Sequence, residues 1–86
     1  MEVYKIEWKH SAVKELKKIE GKNRARILQA VSQLSSVPYP NGCKKLKGSL
    51  QTYRIRIGDY RVVYEVESKN IVIVIVRVRH RKEAYK

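Results

Sequence analysis

Three β-type runs separated by only two and three residues constrain this chain more than any other feature: residues 52–57, 60–67 and 71–79. β-Branched and aromatic side chains fill the runs, while Gly58-Asp59 and Ser68-Lys69-Asn70 interrupt them. Loops that short cannot carry a crossover, so the runs must pair as antiparallel hairpins. The segment 3–8, Val-Tyr-Lys-Ile-Glu-Trp, alternates in the same manner and predicts an N-terminal strand. Between it and the meander lie two helical stretches. The first opens at His10-Ser11 with Ser11 as N-cap, shares Ala12, Val13, Leu16 and Ile19 on one face, and ends at Gly21. The second spans 23–37 with Ile27, Leu28, Val31 and Leu34 on its stripe, stopping before Pro38. The expected fold is α+β: an N-terminal strand, a two-helix hairpin, then a three-stranded antiparallel meander, with the helices on one face of the sheet. The 86 residues suffice for one such domain, 1–86, with a modest core. The unbroken apolar run 71–76 reads as a central strand covered on both faces, so the N-terminal strand is expected to join the same sheet.

Strand alternation also bears on charge. The formal net charge is +12, and residues 44–86 hold twelve Lys and Arg against four acids, or +8 of it. An excess of this size predicts an acidic partner. The helices use scattered lysines, whereas the meander uses Arg54, Arg56, Arg61, Arg77, Arg79 and Arg81, whose planar forks suit phosphate. Pairing Ile57 with Tyr60 puts Tyr53, Ile55, Ile57, Tyr60, Val62, Tyr64 and Val66 on the helix side, and Arg54, Arg56 and Arg61 on the other. Pairing Glu67 with Ile71 then sets Arg61 opposite Arg77, giving a row Arg56–Arg61–Arg77 followed by Arg79 and Arg81. Parity turns His80 away from them. Like charges directly opposite on a sheet cost a fraction of the roughly 0.2–1 kcal/mol of a cross-strand pair, and a polyanion relieves that cost.

Other chemistries lack their residues. His10, His80 and Cys43 have no metal-ligand spacing, and the glycines at 21, 42, 48 and 58 form no phosphate loop. No nucleophile elbow accompanies any serine. Tyr53, Tyr60 and Tyr64 fall on the helix side, unlike the exposed aromatics of an RRM sheet. The longest apolar run is far too short to span a membrane, no signal-peptide pattern opens the chain, and the lone Cys43 excludes an internal disulfide, so a cytoplasmic protein is expected.

Several strings carry a family likeness: Lys45-Leu46-Lys47-Gly48, Tyr53-Arg54-Ile55-Arg56, Gly58-Asp59-Tyr60-Arg61-Val62-Val63-Tyr64 and His80-Arg81-Lys82-Glu83-Ala84-Tyr85. With the order of elements, they make the chain resemble the RelE/ParE toxin superfamily, closest in pattern to RelE-type mRNA interferases, over essentially its whole length. The resemblance implies the toxin of a type II toxin–antitoxin system: an endoribonuclease, free of metal and other cofactors, that cuts mRNA in the ribosomal A site. It implies a cognate RelB-like antitoxin as partner in a heterocomplex, with mRNA and the ribosome as targets. Its ParE branch implies instead a DNA gyrase inhibitor, and a non-catalytic toxin-like protein binding RNA or a partner is a further alternative. Carried over by position, Arg61, Arg81 and Tyr85 are candidate catalytic residues, and the intrinsic pKa of a histidine makes His80 a candidate acid–base. Arg54, Arg56, Lys45, Lys47, Arg77 and Arg79 are candidate RNA-binding residues.

RNA brings its own 2′-hydroxyl nucleophile, so the product expected is a 2′,3′-cyclic phosphate, and fixed guanidinium groups suit the phosphorane charge. RelE itself has lysines at the positions of Arg54 and Arg56. Lysine can surrender a proton when desolvated and arginine effectively cannot, which leaves Tyr85, His80 or Glu65 as the base, or a reaction run mainly by alignment and electrostatics.

Overall fold

The structure, a computed structural model, describes residues 3–84. The chain runs β1 (Lys5–Trp8), α1 (His10–Lys17), α2 (Gly21–Leu34), β2 (Lys44–Lys45), β3 (Thr52–Ile57), β4 (Tyr60–Glu67), β5 (Val72–His80) and α3 (Arg81–Ala84). The strands form one sheet in the order β1-β5-β4-β3-β2, antiparallel except where β1 lies parallel to β5. The expected α+β architecture is present, with the N-terminal strand at one edge. No helix among the described residues is long and apolar enough to cross a membrane.

The core lies between the helices and one sheet face. Ala12, Leu16 and Ile27 meet Val62, Tyr64, Ile73 and Ile75, which are essentially buried. At roughly 25 cal/mol per Å² of apolar surface, each such side chain contributes about 1.5–3 kcal/mol when removed from water. Leu28, expected on the stripe of α2, is instead exposed, and Ala30 packs against the core.

The helix ends differ from expectation because the sheet sets them. The amide of Lys9 still donates to Ile75 O at 2.9 Å, so the chain is held as strand until α1 begins at His10, with Lys9 and not Ser11 as N-cap. Helix α1 ends at Lys17, and Gly21 opens α2 instead of closing α1. Helix α2 stops at Leu34, short of Val37. Next in chain, Ser35 is committed to Tyr4: its hydroxyl donates to Tyr4 O at 2.7 Å and its carbonyl accepts from Tyr4 N at 2.8 Å. Beyond it, the buried Tyr64 donates its hydroxyl to Pro38 O at 2.9 Å, and Tyr53 stacks on Tyr64 and meets Tyr39 edge to face. Burial, reinforced by the Cys43 thiol alongside, pushes the Tyr64 phenol far above its usual range, so it remains a donor.

The Ile57↔Tyr60 register of the first hairpin is as expected. That of the second is not. Glu67 opposes Val72, not Ile71, and the ladder slips between Val63, opposite Arg77, and Tyr64, opposite Ile75. Val76 is thus a bulge residue without a partner. Ile73 and Ile75 face the core, contrary to the expected arrangement, while Val72 and Val74 are half-buried on the open face, which the helices do not cover. Strict alternation from Ile73 and Ile75 would drive Arg77 and Arg79 into the core. The extra residue lets Val78 fill that slot at 2% exposure. The four-residue loop before β5 ends at Ile71, whose φ of 55° is the left-handed region a β-branched residue avoids. Ile71 is held there by its carbonyl, which accepts from Lys5 N at 3.0 Å.

The bulge makes a contrast that a regular strand does not. Val76 and Val78 share parity, yet Val78→Asp should cost at least about 3 kcal/mol by burying an unpaired charge, whereas Val76→Asp should cost about 1 kcal/mol or less. Urea unfolding of the two variants measures the difference.

Candidate nucleic-acid interface

The corrected register changes the basic row. Arg61 on β4 lies between Arg56 on β3 and Arg79 on β5, so the row is Arg56–Arg61–Arg79 and not Arg56–Arg61–Arg77. Arg77 stands one step further, opposite Val63, which in turn opposes Arg54; Lys44 opposes Arg54 on β2. The open face therefore carries basic side chains from four strands at the end nearest the β3–β4 turn. Arg54, Arg61 and Arg79 are half-buried, while Arg56 and Arg77 are exposed.

Anchors for three of these guanidinium groups are visible. Arg56 Nε donates to Gly58 O at 3.0 Å, in a turn where Gly58 has φ of 60° and where a Cβ would lie 3.4 Å from the Arg26 guanidinium. Arg79 Nε donates to Glu15 Oε2 at 3.1 Å. Arg81, at the start of α3, donates its amide to Asp59 O at 2.6 Å, and its Nε lies 3.8 Å from Asp59 Oδ1. Holding a guanidinium through Nε orients the two terminal nitrogens of the fork, the pair suited to bidentate phosphate contact. Glu65, a candidate base, lies opposite Thr52 and Val74 at the other end of the sheet. Four residues of strand separate it from Arg61, about 13 Å, beyond the roughly 8 Å screening length at physiological salt.

The remaining candidate residues lie around this cluster and not within it. His80 is on the helix side, opposite Tyr60, with the two rings edge to face at 5.3 Å; its Nδ1 accepts from Lys82 N at 3.2 Å. Lys45 pairs with Tyr53 and so takes the face away from Arg54, and Lys47 is exposed in the turn after β2. Tyr85 lies outside the described residues. The residue that sequence reasoning missed is Glu15. Its only signal is that it is the sole acid of α1, with no hint that it reaches β5. Among the described residues, no three His, Cys, Asp or Glu side chains stand together in a way that could hold a metal ion.

Comparison with known proteins decides the family. A family model described as ParE toxin of type II toxin-antitoxin system, parDE, matches residues 6–85. The chain belongs to the RelE/ParE family of type II toxins. Toxin RelE3 of Methanocaldococcus jannaschii is 35% identical over 85 residues, covering 94% of each chain. Toxin RelG of Mycobacterium tuberculosis is 31% identical, covering 96% of this chain and 97% of its own. RelE in the RelE–RelB complex of Pyrococcus horikoshii superposes with a TM-score of 0.82 at 32% identity, covering 92% of this chain and 96% of the relative. This RelE/ParE toxin thus shares both fold and sequence with toxins named RelE.

The arginine end of the sheet should dominate binding of a single-stranded RNA probe. Arg61→Ala or Arg79→Ala should lower the slope of log affinity against log salt by about 0.7, the share of one phosphate, whereas Lys17→Ala on α1 leaves it unchanged. Fluorescence titration at a series of salt concentrations reads the slopes.

Proposed function

We propose that this RelE-family toxin is a metal-free endoribonuclease that cuts mRNA in the ribosomal A site and is silenced by a RelB-like antitoxin. The observation that supports it most is the Arg56–Arg61–Arg79 row with Arg54, Arg77 and Arg81 beside it. Six arginines converging on one end of an open sheet face burden folding, and a phosphate backbone relieves them.

In this reading the substrate 2′-oxygen attacks the adjacent phosphorus as its proton passes to water, and the bond to the 5′-oxygen breaks as that oxygen takes a proton from water. A 2′,3′-cyclic phosphate and a 5′-hydroxyl result. Arg61 and Arg81 meet the charge that grows on the non-bridging oxygens, while Arg54 and Arg56 grip the flanking backbone. Fixed donors act there without reorganising during the reaction. Arg77 and Arg79 add field on the β5 side and Lys47 extends the track beyond β2, while Lys45, on the other face, adds only long-range charge. For proton transfer, His80 would have to act from the opposite side of the sheet, with Nδ1 already accepting a hydrogen bond, and Glu65 from the far end. Tyr85 is therefore the residue this reading assigns to orienting the 2′-hydroxyl or stacking on a base, and alignment and electrostatics carry most of the rate.

The antitoxin follows from likeness and charge. The P. horikoshii relative is solved with RelB, and a chain of the RelBE2 toxin–antitoxin complex of M. tuberculosis matches at 28% identity and a TM-score of 0.80. A RelB-like chain with acidic segments would balance the +12 of this one. Such a pair acts in the cytoplasm, where ribosomes are. The ParE description of the matching family model favours one second reading, gyrase inhibition without cleavage.

Mapping mRNA ends in a translating extract separates the two. The toxin should produce cuts at A-site codons ending in 2′,3′-cyclic phosphate, with Arg61→Ala and Arg81→Ala each slowing cleavage by about 100-fold or more. Intact mRNA alongside inhibited DNA supercoiling would sink the nuclease reading and leave the gyrase one.

A further inference from the structure

The carboxylate of Glu15 makes two bonds at once. Oε1 accepts from the amide of Val78 at 2.9 Å, and Oε2 accepts from Arg79 Nε at 3.1 Å. The first arises from sheet topology. Strand β1 pairs with β5 only as far as Ile75, where Lys9 N makes the last bond before the chain turns into α1. Past that point the edge of β5 has lost its strand neighbour. Glu15, six residues into α1, supplies the missing acceptor. The second bond follows because Arg79 is the next residue along β5, opposite Arg61. Glu15 and Arg79 are only 25% and 35% exposed at their side chains, so the contact is unlike the mobile surface pairs that contribute little.

An acid beside a phosphate-binding row weakens attraction for RNA. Charge balance alone does not require Glu15 to bond a backbone amide as well, and that second bond removes the freedom a surface pair would keep. We propose that Glu15 is a positioning residue: it fixes the Arg79 guanidinium, through Nε, beside Arg61, where its charge reaches the reacting phosphate. The assignment rests on the RNA-cleavage reading above. Two depressions flank the pair, one lined by Lys18, Tyr60 and His80 and the other by Lys9, Ser11 and Arg77. Without its anchor, Arg79 has space on either side into which to swing.

Single-turnover cleavage of mRNA on programmed ribosomes tests the assignment. For folded Glu15→Gln, the saturating rate should fall about 10–100-fold, as expected when a charged group is misplaced by an ångström or so. The half-saturating toxin concentration should change by less than about threefold or fall, because the cation is retained and an acid removed. In an Arg79→Ala background the same substitution should slow the reaction by less than about twofold, since Glu15 acts through Arg79. The Arg79 Hε resonance of the unaltered toxin should be protected from exchange, and Glu15→Asp should slow cleavage too. A Glu15→Gln protein as fast as the unaltered toxin would overturn the assignment, as would rate losses that multiply in the double variant. An unprotected Arg79 Hε would overturn it even if no Glu15 variant folded. Failure of the unaltered toxin to cut any RNA would instead remove the nuclease reading, and this inference with it.

Discussion

A nine-residue strand that buries Ile73, Ile75 and Val78 while leaving Arg77 and Arg79 off the core face cannot alternate regularly. Strand β5 meets both demands by inserting Val76. Much of the molecule hangs on that strand, since β1 pairs along one edge, β4 along the other, and α1 packs beside it. Bulges add local twist and re-aim side chains. Here the bulge and the one-residue-longer loop before β5 together move the partner of Arg61 from Arg77 to Arg79. The irregularity that completes the core thus helps to set which cation stands in the row.

The row carries a cost. Two unit charges about 5 Å apart repel by about 0.8 kcal/mol in bulk water and by more where the site is partly dry. Arg61 has an arginine directly across from it on each neighbouring strand. The anchors make the arrangement tolerable in different ways. Gly58 offers Arg56 a carbonyl dipole without neutralising it, while Asp59 and Glu15 offer Arg81 and Arg79 full charges. The contacts of Arg56 and Arg79 are hydrogen bonds to Nε, which fix the orientation of those two guanidinium groups. Folding then leaves an excess of positive charge that is spatially ordered, which is the condition under which charge contributes to recognition and not only to solubility.

Much of this is legible in the sequence because short loops leave little freedom. The two-residue Gly58-Asp59 turn determines the β3–β4 register, and with it the helix-facing set from Tyr53 to Val66 and the opposite set of Arg54, Arg56 and Arg61. What is not legible depends on contacts distant in sequence. The slip at Val76 is hidden because six consecutive apolar residues carry no alternation to betray a bulge. Ser11 has the chemistry of a cap, but the Lys9–Ile75 bond that starts α1 joins residues far apart in the chain. Gly21 suits a helix end, although Glu20 adopts the extended conformation that opens a helix there. Glu15 is unreadable for the same reason as Lys9: its partners lie more than sixty residues away.

Arginine at positions 54 and 56, where RelE has lysine, limits what this face can do. A guanidinium holds its proton throughout the range in which proteins work, so these residues offer fixed charge and geometry and no proton transfer. Catalysis by fixed charge gains only to the extent that the charge is already in place when the transition state forms. A lysine-based site tolerates a mobile side chain, because a single ammonium can reach its proton acceptor from several rotamers. An arginine-based site has no such latitude, since its bidentate fork must arrive in one plane. Two guanidinium groups held by hydrogen bonds at Nε, one of them through a carboxylate that also caps the edge of β5, are what the proposed cleavage would require of this fold.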